Sequence, residues 1–445
     1  MKKVDLTKGN VLKVLMTLAI PIMASSFFQF AYNIIDMMWV GGLGSNAVAS
    51  IGSSSFFINM GNAINAFVVI GTGIKVSHAI GGKNEKEVNE YIKLGILLNL
   101  LVGIIYCIII VLFGRKFIAF LNINNPIVEQ EGYKYLIINA PILFFTFFNT
   151  LFIRIFNSFG NNKSALIINI IGILINTILD PIFIYTLDFG VSGAAISSLI
   201  GTIVVFLMLL YNGRNIFKIK LKEKIDFNKI KTITILGMPM SMQRVLFTFI
   251  NIILARIVGG FGADAIAAQK IGLQIESIIY MVVGGLNGAI TGFVGQNYGA
   301  KKYERINKGY NTATGIGAIY ALIITVIFIF MPEVLVKLFV REESTVYIAS
   351  NYLRIIGISQ IFSTMEMISN GVFTGLGKPK IPATISIVFT ALRIPMALIF
   401  IRFFGVNGIW ISISLSSILK GITAYLIYKL RIGKEYNDVR CDKIT

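Results

Sequence analysis

Asn176 and Asp180 place an amide and a carboxylate inside an almost wholly apolar stretch, residues 165–185. The stretch is long enough to cross the hydrocarbon core of a bilayer as a helix. Four residues separate the two side chains, so on a helix they point from one face. An ionisable group inside a membrane span is costly and usually functional. The pattern therefore predicts an ion-binding or proton-carrying face within a membrane helix.

Asp36 and Thr202 are expected at a similar depth. Asp36 precedes the next loop by about five residues and Asp180 by about eight, which at 1.5 Å per residue puts both in the outer third of the membrane. Two carboxylates in low dielectric cannot both stay ionised unless a cation joins them. We therefore predict that Asp36, Asn176, Asp180 and Thr202 form one pocket for H⁺ or Na⁺. The alternative is that Asp180 only caps or bonds locally and Asn176 serves helix packing.

The second half of the chain has its own charged residues within apolar stretches: Arg244, Glu276, Glu366 and Arg393. Glu366 and Arg393 are expected at similar depth on consecutive spans, and Arg244 and Glu276 both fall near the midplane. One interpretation is that they form internal ion pairs that stabilise the fold. The other is that Glu276 or Glu366 faces a cavity, where it recognises a cationic substrate or carries a second proton.

The composition is that of a polytopic membrane protein. Of 445 residues, 56% are hydrophobic and 14% charged, whereas a soluble domain carries about 25% charged residues. The formal net charge is +19, but the basic residues fall between apolar stretches, which favours a role in topology and lipid contact over nucleic-acid binding.

Several classes of enzyme and pump are disfavoured. Cys107, Cys441 and His78 are the only cysteines and histidine, and they have no metal-ligand or redox spacing. No phosphate-binding glycine-rich loop is present, which argues against an ATP-driven pump. The N-terminal segment has no cleavage pattern of a signal peptide, so we expect it to remain as part of the first span.

Hydropathy predicts an all-α protein with about twelve membrane spans. They cover residues 12–40, 47–72, 92–114, 133–158, 164–186, 191–212, 231–258, 265–292, 308–331, 346–374, 382–403 and 408–430. Alternate loops are rich in lysine and arginine, and the others are short and neutral or mixed in charge. The positive-inside rule then places both termini and the loop 214–231 in the cytoplasm. We expect a multi-pass protein of the plasma membrane.

The sequence repeats itself once. Residues 18–21 match 236–239 and residues 40–44 match 258–262, both at an offset of 218 (239 − 21 = 218), and later matches need only short deletions. Six spans are therefore duplicated in the same orientation. We expect an N-terminal lobe (1–213), a cytoplasmic linker (214–231) and a C-terminal lobe with the tail (232–445). Parallel repeats of this kind build transporters with a cavity at the repeat interface.

The repeat also shows that the acidic positions are specific to one half. Asp36 corresponds to Leu254 at the offset of 218, and Asp180 corresponds to Ile394 near an offset of 214. An architectural role would more often survive in both copies. The two carboxylates therefore favour a specialised site in the N-terminal lobe.

Several motifs resemble the multidrug and toxic compound extrusion (MATE) transporters, in particular the prokaryotic DNA-damage-inducible and MepA-like branch. They are Leu18-Ala-Ile-Pro21, Asp36 before Gly41-Gly42, Asn176-x-x-x-Asp180-Pro181, and residues 293–301, and the similarity covers nearly the whole chain. The resemblance implies two pseudo-symmetric six-helix bundles around a central cavity. It also implies a cation site built from Asp36, Asn176, Asp180 and Thr202, and it relates Glu276 to a glutamate of the MepA-like group.

The function implied is export of organic cations and other amphiphiles in exchange for H⁺ or Na⁺, by rocker-switch alternating access. The implied partners are small amphiphilic or cationic drugs and membrane lipids, with no nucleic acid, no cofactor beyond the coupling ion, and a monomeric state. Two other functions stay open. One is a flippase for lipid-linked precursors, which Arg244, Arg256 and Arg393 favour. The other, a membrane-embedded enzyme, lacks a nucleophile–base set.

Overall fold

The computed structural model describes residues 5–121, 123, 125–217 and 226–433. Residues 218–225 of the loop 214–231 and the C-terminal tail with Cys441 lie outside the described residues. The described chain is helical, without β-strands. Its helices are α1 (Val11–Gly41), α2 (Ser45–Gly81), α3 (Glu85–Phe120), α4 (Pro126–Ser158), α5 (Asn162–Pro181), α6 (Gly190–Gly213), α7 (Phe227–Gly259), α8 (Ala263–Gly299), α9 (Tyr303–Phe330), α10 (Pro332–Lys337), α11 (Glu343–Gly375), α12 (Lys380–Ala391), α13 (Arg393–Phe404) and α14 (Asn407–Ile427).

Turn chemistry sets several of the helix starts. Asn84 accepts a hydrogen bond from the backbone N–H of Glu87 at the start of α3. Asn125 does the same for Ile127 and Val128 ahead of α4, whose first residue is Pro126. Such caps satisfy the N–H groups that the first turn leaves without a partner, and proline suits that position since it has no N–H.

Eleven helical segments within the described residues are long and apolar enough to cross a membrane. The expected span 346–374 is also a continuous helix, α11, but its many polar residues keep it out of that group. Most of these polar side chains are buried in protein, among them Gln360, Thr364 and Ser369. A helix enclosed by other helices needs no lipid-compatible surface, so the composition of α11 is compatible with the expected span.

The expected span 382–403 is broken at Leu392 into α12 and α13. Its counterpart in the first half, α5, ends at Pro181 and continues as the π-helical turn Ile182–Thr186. The breaks lie beside Pro181 and Pro395, which correspond at an offset of 214. Proline has no N–H for the helical ladder, so it breaks both helices at the same level.

Contacts divide the described chain into two compact units. The first holds Asp5 and residues 24–241, and the second holds residues 6–23 and 242–433. The units differ from the lobes expected from the repeat in residues 6–23 and 232–241, because α1 and α7 each begin in one unit and end in the other. Pro21 and Pro239 lie within three residues of these crossings.

Each unit is organised around one central helix. In the first unit α4 packs against α2, α3, α5 and α6, and in the second α11 packs against α8, α9, α12 and α14. The backbone repeats as well: Gly44 and Gly262 have φ of 99° and 100°, and Lys83 and Lys301 have φ of 55° and 57°. Both pairs stand 218 residues apart, so the sequence repeat is a repeat of three-dimensional structure.

Close helix contacts hold residues 227–241 to the first unit. A Cβ atom added to Gly237 would collide with the backbone carbonyl of Phe67, and one added to Gly71 would collide with that of Ile233. The Ser241 hydroxyl also donates to the carbonyl oxygen of Ala63 at 2.7 Å. The glycines therefore let α2 and α7 approach more closely than side chains allow.

We expect the substitution Gly237→Ala to lower the free energy of unfolding by about 1–3 kcal/mol, because overpacking against a rigid backbone forces the helices apart. Gly284→Ala is the matched control. No atom lies within 4 Å of an added Cβ there, and alanine favours a helix interior over glycine by about 1 kcal/mol. Thermal unfolding of the detergent-solubilised variants measures both effects. Equal melting temperatures would contradict the close-contact account.

Candidate functional site

The part of α1 that lies in the first unit, residues 24–41, runs beside α5 in the same direction and in a constant register. Ser25 accepts a hydrogen bond from Asn169 at 2.8 Å, and Tyr32 lies against Asn176. Each pair is 144 residues apart (169 − 25 = 144; 176 − 32 = 144). The same register places Asp36 beside Asp180, one helical turn further on. Parallel helix packing therefore brings together two carboxylates that are far apart in sequence.

The outer end of α1 is tied to the π-helical turn that follows α5. The Tyr185 hydroxyl donates to the backbone carbonyl of Trp39 at 2.5 Å, and the two rings pack edge to face at 6.2 Å. Gly42 lies directly against the same hydroxyl and has no room for a side chain. The break after Pro181 thus supplies the anchor that holds Asp36 at the level of Asp180.

Asp180 is fully buried, with a relative exposure of 0%. Its carboxylate accepts hydrogen bonds from the hydroxyl of Ser197 and from the amide of Asn176, whose nitrogen lies 2.8 Å from Oδ2. We assign the orientation of that amide from its partners. The nitrogen then also donates to the Tyr32 hydroxyl at 3.0 Å, and the amide oxygen accepts from the backbone N–H and hydroxyl of Ser198, both at 3.0 Å. Asn176 and Asp180 therefore belong to one hydrogen-bonded network.

Helix α6 reaches this network because of two glycines. A Cβ at Gly193 would stand 2.5 Å from the carbonyl oxygen of Phe183, and one at Gly201 would stand 3.2 Å from the carbonyl oxygen of Gly172 on α5. Their absence lets the first turns of α6 lie directly on α5 and its π-helical turn. Ser197 and Ser198, which lie between the glycines, consequently meet the polar face of α5.

Asp36 is partly exposed, in contrast to Asp180. Its carboxylate interacts electrostatically with that of Asp180 and with the phenols of Tyr32 and Tyr135. Neither aspartate forms an ion pair with a cationic side chain among the described residues. The first unit therefore holds two neighbouring carboxylates within the membrane and no built-in positive charge to balance them.

Thr202 lies one turn deeper than Ser198 and lines a cavity of about 410 Å³ within the first unit. Asn176, Tyr32 and Ser198 line the same cavity, so it opens directly below the carboxylate network. The Thr202 carbonyl oxygen accepts a hydrogen bond from Asn149 at 3.0 Å, while its hydroxyl contacts neither carboxylate in the described structure. Every lining residue is uncharged: Gln29, Tyr32, Thr146, Asn149, Thr150, Ile153, Asn169, Gly172, Ile173, Asn176, Ser198, Gly201, Thr202 and Val205.

The charged residues of the second unit are arranged differently from the pairs expected. Glu366 forms a buried ion pair with Lys420 at 3.2 Å, a partner that sequence reasoning missed. Arg393 is buried as well; it donates to the hydroxyls of Ser416 at 2.9 Å and Ser417 at 3.2 Å and interacts electrostatically with Glu366.

Glu276 and Arg244 do not pair with each other in the described structure. Glu276 is buried and accepts hydrogen bonds from the Tyr352 hydroxyl at 2.9 Å and the Gln360 amide at 3.1 Å. Arg244 is exposed. The buried acids of the second unit, Glu276 and Glu366, are thus matched in number by two buried cations, Arg393 and Lys420.

Sequence reasoning missed several partners for which weak signals exist. Lys420 is a charged residue in the middle of an apolar span, the same signal that singled out Glu366. Tyr32 stands one helical turn before Asp36 and therefore shares its face. Ser197 and Ser198 offered no signal of their own, because serine is common in membrane helices and only packing aims these two at α5.

With this geometry in hand, comparison with known proteins identifies the family. The MatE family profile matches residues 21–182 and 239–399, one match in each repeat. The chain belongs to the MatE family. This confirms the resemblance found in the motifs, and it makes the protein a membrane transporter and not an enzyme.

Relatives with sequence similarity over most of their length are named for multidrug resistance or multidrug export. The chain is 23% identical over 428 residues to the probable multidrug resistance protein NorM of Thermotoga maritima, covering 94% of this chain and 92% of that one. It is 26% identical over 430 residues to the probable multidrug resistance protein YoeA of Bacillus subtilis, covering 91% and 90%. It is 22% identical over 442 residues to the multidrug export protein MepA of Staphylococcus aureus, covering 95% of each.

Solved structures have the same fold. An outward-facing multidrug resistance MATE transporter superposes with a TM-score of 0.91 at 23% identity, covering 98% of this chain and 99% of that one. A MOP superfamily transporter from Pyrococcus furiosus, described as having a binding pocket of reverse polarity that suggests a different function, superposes with a TM-score of 0.90 at 24% identity, covering 97% and 98%. The expected all-α architecture of two pseudo-symmetric halves is confirmed.

Proposed function

We propose that this transporter is a secondary active antiporter that exports organic cations and other amphiphiles in exchange for H⁺ or Na⁺. The proposal of ion coupling rests on the surroundings of the Asp180 carboxylate. Its buried carboxylate has hydrogen-bond donors but no cationic side chain beside it among the described residues, and Asp36 adds a second carboxylate. A buried carboxylate of this kind needs a proton or a bound cation, because an uncompensated charge is expensive to bury. The buried acids of the second unit have no such need, since they are matched by buried cations.

The coupling ion acts by changing the net charge of the polar face where three helices meet. Asp36 lies on α1, Asn176 and Asp180 on α5, and Ser197 and Ser198 on α6. Binding of H⁺ or Na⁺ neutralises this face, and loss of the ion recharges it, so the packing of the three helices has two states. An ion gradient biases such an equilibrium in proportion to the difference in ion affinity of the two states. Substrate is released outward when the ion-loaded state binds it less well.

The cavity below the network suits a role in substrate binding. Its volume of about 410 Å³ lies within the range of about 300–1,000 Å³ typical of small-molecule pockets. Amides and hydroxyls alternate in its lining with Ile153, Ile173 and Val205. Asn176 and Ser198 line the cavity and also belong to the carboxylate network, so occupancy of one affects the other. The drug-export names of the relatives support substrates of varied shape.

We further propose that the protein works as a monomer in the plasma membrane with both termini in the cytoplasm. The basic loops support that orientation: Lys83 and Lys301, at repeat-equivalent positions, are exposed on loops that the positive-inside rule assigns to the cytoplasm.

Proteoliposomes that hold the purified protein test the coupling when pH and Na⁺ gradients are imposed separately. We expect one gradient to drive accumulation of a fluorescent organic cation and the other to have little effect, which also identifies the ion. An ionophore that collapses the effective gradient should stop accumulation. Equal transport with and without both gradients would contradict ion coupling.

A flippase for lipid-linked precursors is the second candidate. The exposed Arg244 in the middle of α7 favours it. The drug-export names of the relatives favour the antiporter instead. Drug susceptibility of cells that express the protein, compared with complementation of a strain defective in cell-wall precursor export, separates the two.

A further inference from the structure

The segment that precedes α1, residues 6–10, is fastened to the turn between α8 and α9 of the second unit. Arg305 donates hydrogen bonds to three backbone carbonyls of this segment at 2.7–3.3 Å, and Lys302 donates to a fourth at 2.7 Å. Two amide side chains at the end of α8 bond to the backbone N–H and carbonyl of Leu6, whose own side chain is fully buried. We call residues 6–10 the amino-terminal strap.

The strap assembles a basic surface from two segments that are distant in sequence, residues 8–13 and 300–311. Glu304 is the one acidic residue in these two segments. Their six basic residues, which we call the basic surface, are Lys8, Lys13, Lys301, Lys302, Arg305 and Lys308. The five lysines are exposed. This end of the second unit therefore has a large excess of accessible positive charge.

The first unit provides an internal comparison, because the repeat places equivalent segments at an offset of 218 (226 − 8 = 218; 82 − 300 = −218). Residues 226–231 and 82–93 hold five basic and four acidic residues, so they are close to neutral. One of the five, Lys229, is also paired with Glu90. The positive-inside rule accounts for basic residues at this end of both units. It does not account for an excess that is confined to the second unit.

Along α9, an apolar stripe continues from the basic surface. Ile319, Leu322 and Val326 are 66%, 55% and 48% exposed, and their spacing places them on the same face of the helix as Lys308. Helix α9 is long and apolar enough to cross a membrane, so this stripe contacts the acyl chains of lipids. Lys308 precedes Ile319 by eleven residues (319 − 308 = 11), which is about 16 Å along the axis. A positive charge thus stands at the end of a lipid-facing stripe.

The first unit has the same stripe with the opposite charge at its end. Leu101, Ile104 and Ile108 of α3 are 55%, 44% and 51% exposed, and each stands 218 residues before its counterpart on α9. Glu90 occupies the position that corresponds to Lys308 (308 − 90 = 218). Contact with acyl chains is therefore common to both units, whereas attraction of a negative headgroup is confined to the second.

We propose that the basic surface and the apolar stripe of α9 together bind an anionic phospholipid of the cytoplasmic leaflet. The headgroup phosphate lies on the lysines, and the acyl chains lie along the stripe. Clusters of basic residues at the cytoplasmic end of a membrane helix attract the negatively charged lipids of that leaflet. The stripe favours a lipid over free phosphate, which has no chains to place on it. The inference depends on the proposed orientation of the chain and is independent of the coupling ion and the transported substrate.

Binding of a short-chain fluorescent phosphatidylglycerol to the purified protein, in mixed micelles of detergent and phosphatidylcholine, tests this inference. We expect the double substitution Lys301→Gln with Lys308→Gln to weaken binding by about fivefold to thirtyfold, because each lysine near a membrane surface contributes about a fivefold factor. Lys83→Gln with Lys86→Gln removes two exposed lysines from the first unit and is the matched control. The control should change the affinity by less than about twofold, since the charge around it is already balanced by acids.

Replacing Lys301 and Lys308 by arginine keeps both charges and should leave binding close to that of the wild type. Rising salt should weaken binding by the wild type, because exposed charges are screened. Unchanged binding in the glutamine variant, equal weakening in the control, or a wild type that binds a matched fluorescent phosphatidylcholine equally well would each overturn the proposal.

Inorganic phosphate separates a lipid site from a simple anion site. At equal ionic strength it should displace the fluorescent lipid no better than chloride does, because the acyl chains contribute to binding. Stronger displacement by phosphate would identify an anion site that needs no lipid, and it would also overturn the proposal. No gradient is applied in these measurements, so their failure leaves ion coupling intact, and a failure of coupling in proteoliposomes leaves this binding result intact.

Discussion

Replacing Asp180 with asparagine is expected to abolish gradient-driven accumulation of substrate in proteoliposomes while the protein still folds. Asparagine has nearly the same volume and can still accept a hydrogen bond through its one carbonyl oxygen, for example from Ser197, but it can neither take up a proton nor balance a cation. The charge change that biases the two states is thereby lost. The measurement is the initial rate of uphill transport under the gradient that drives the wild-type protein.

Asp188→Asn is the matched control for this substitution. Asp188 is exposed in the loop after α5 with φ of 54°, a left-handed conformation that asparagine also tolerates. The same chemical change should therefore leave transport as it is. Undiminished gradient-driven transport by the Asp180→Asn protein would rule out Asp180 as part of the coupling site.

Removing the hydroxyl of Ser197 tests the same site with a smaller change, because the carboxylate of Asp180 is kept. A hydrogen bond to a charged group contributes about 1.5–3 kcal/mol, so Ser197→Ala should change the ion affinity by roughly 10- to 150-fold without removing the charge. Ser55→Ala removes a hydroxyl that bonds only to a carbonyl of its own helix, that of Ile51, and should have no such effect. The measurement is the ion concentration that gives half-maximal transport. If both alanine variants have the same ion affinity as the wild type, the Ser197 hydroxyl does not contribute to ion binding.

The second large effect is expected for stability. Removing one partner of the buried pair Glu366–Lys420, as in Lys420→Met, should lower the free energy of unfolding by about 3–5 kcal/mol, because it leaves a buried charge without its partner. The double substitution Glu366→Leu with Lys420→Met should recover most of the loss, since the desolvation cost disappears together with the pair. Melting temperatures in detergent measure both.

A surface pair on α4 provides the comparison. Lys134 and Glu131 stand 2.9 Å apart with side chains that are 49% and 33% exposed, and such pairs contribute about 0–1 kcal/mol. Lys134→Met should therefore shift the melting temperature far less than Lys420→Met. If the two shifts are similar, removing Lys420 does not leave an uncompensated buried charge on Glu366. If the double substitution is as unstable as the single one, Lys420 stabilises the unit through packing instead.

The repeat explains why the two halves use charge differently. Asp180 stands one residue before the Pro181 break, and Arg393 stands two residues before Pro395 at the corresponding break. One half has a carboxylate at this level with no cationic side chain beside it among the described residues, and the other has a guanidinium bonded to serines. Arg393 stands one residue before Ile394, the counterpart of Asp180, and we attribute the proposed one-sided ion site to this difference in charge beside the two breaks.

The sequence by itself determined the membrane class, the spans, the duplication and the residues Asn176 and Asp180, because hydropathy, offset and helical spacing are local properties of the chain. Only the tertiary structure decided their partners. The register of α1 against α5 sets Asp36 beside Asp180, and the glycine contacts of α6 bring Ser197 to it. The pairing of Glu366 with Lys420 instead of Arg393 and the exchange of residues 6–23 and 232–241 between the units have the same origin. They depend on how helices distant in sequence pack, and periodicity along one helix carries no information about its neighbours.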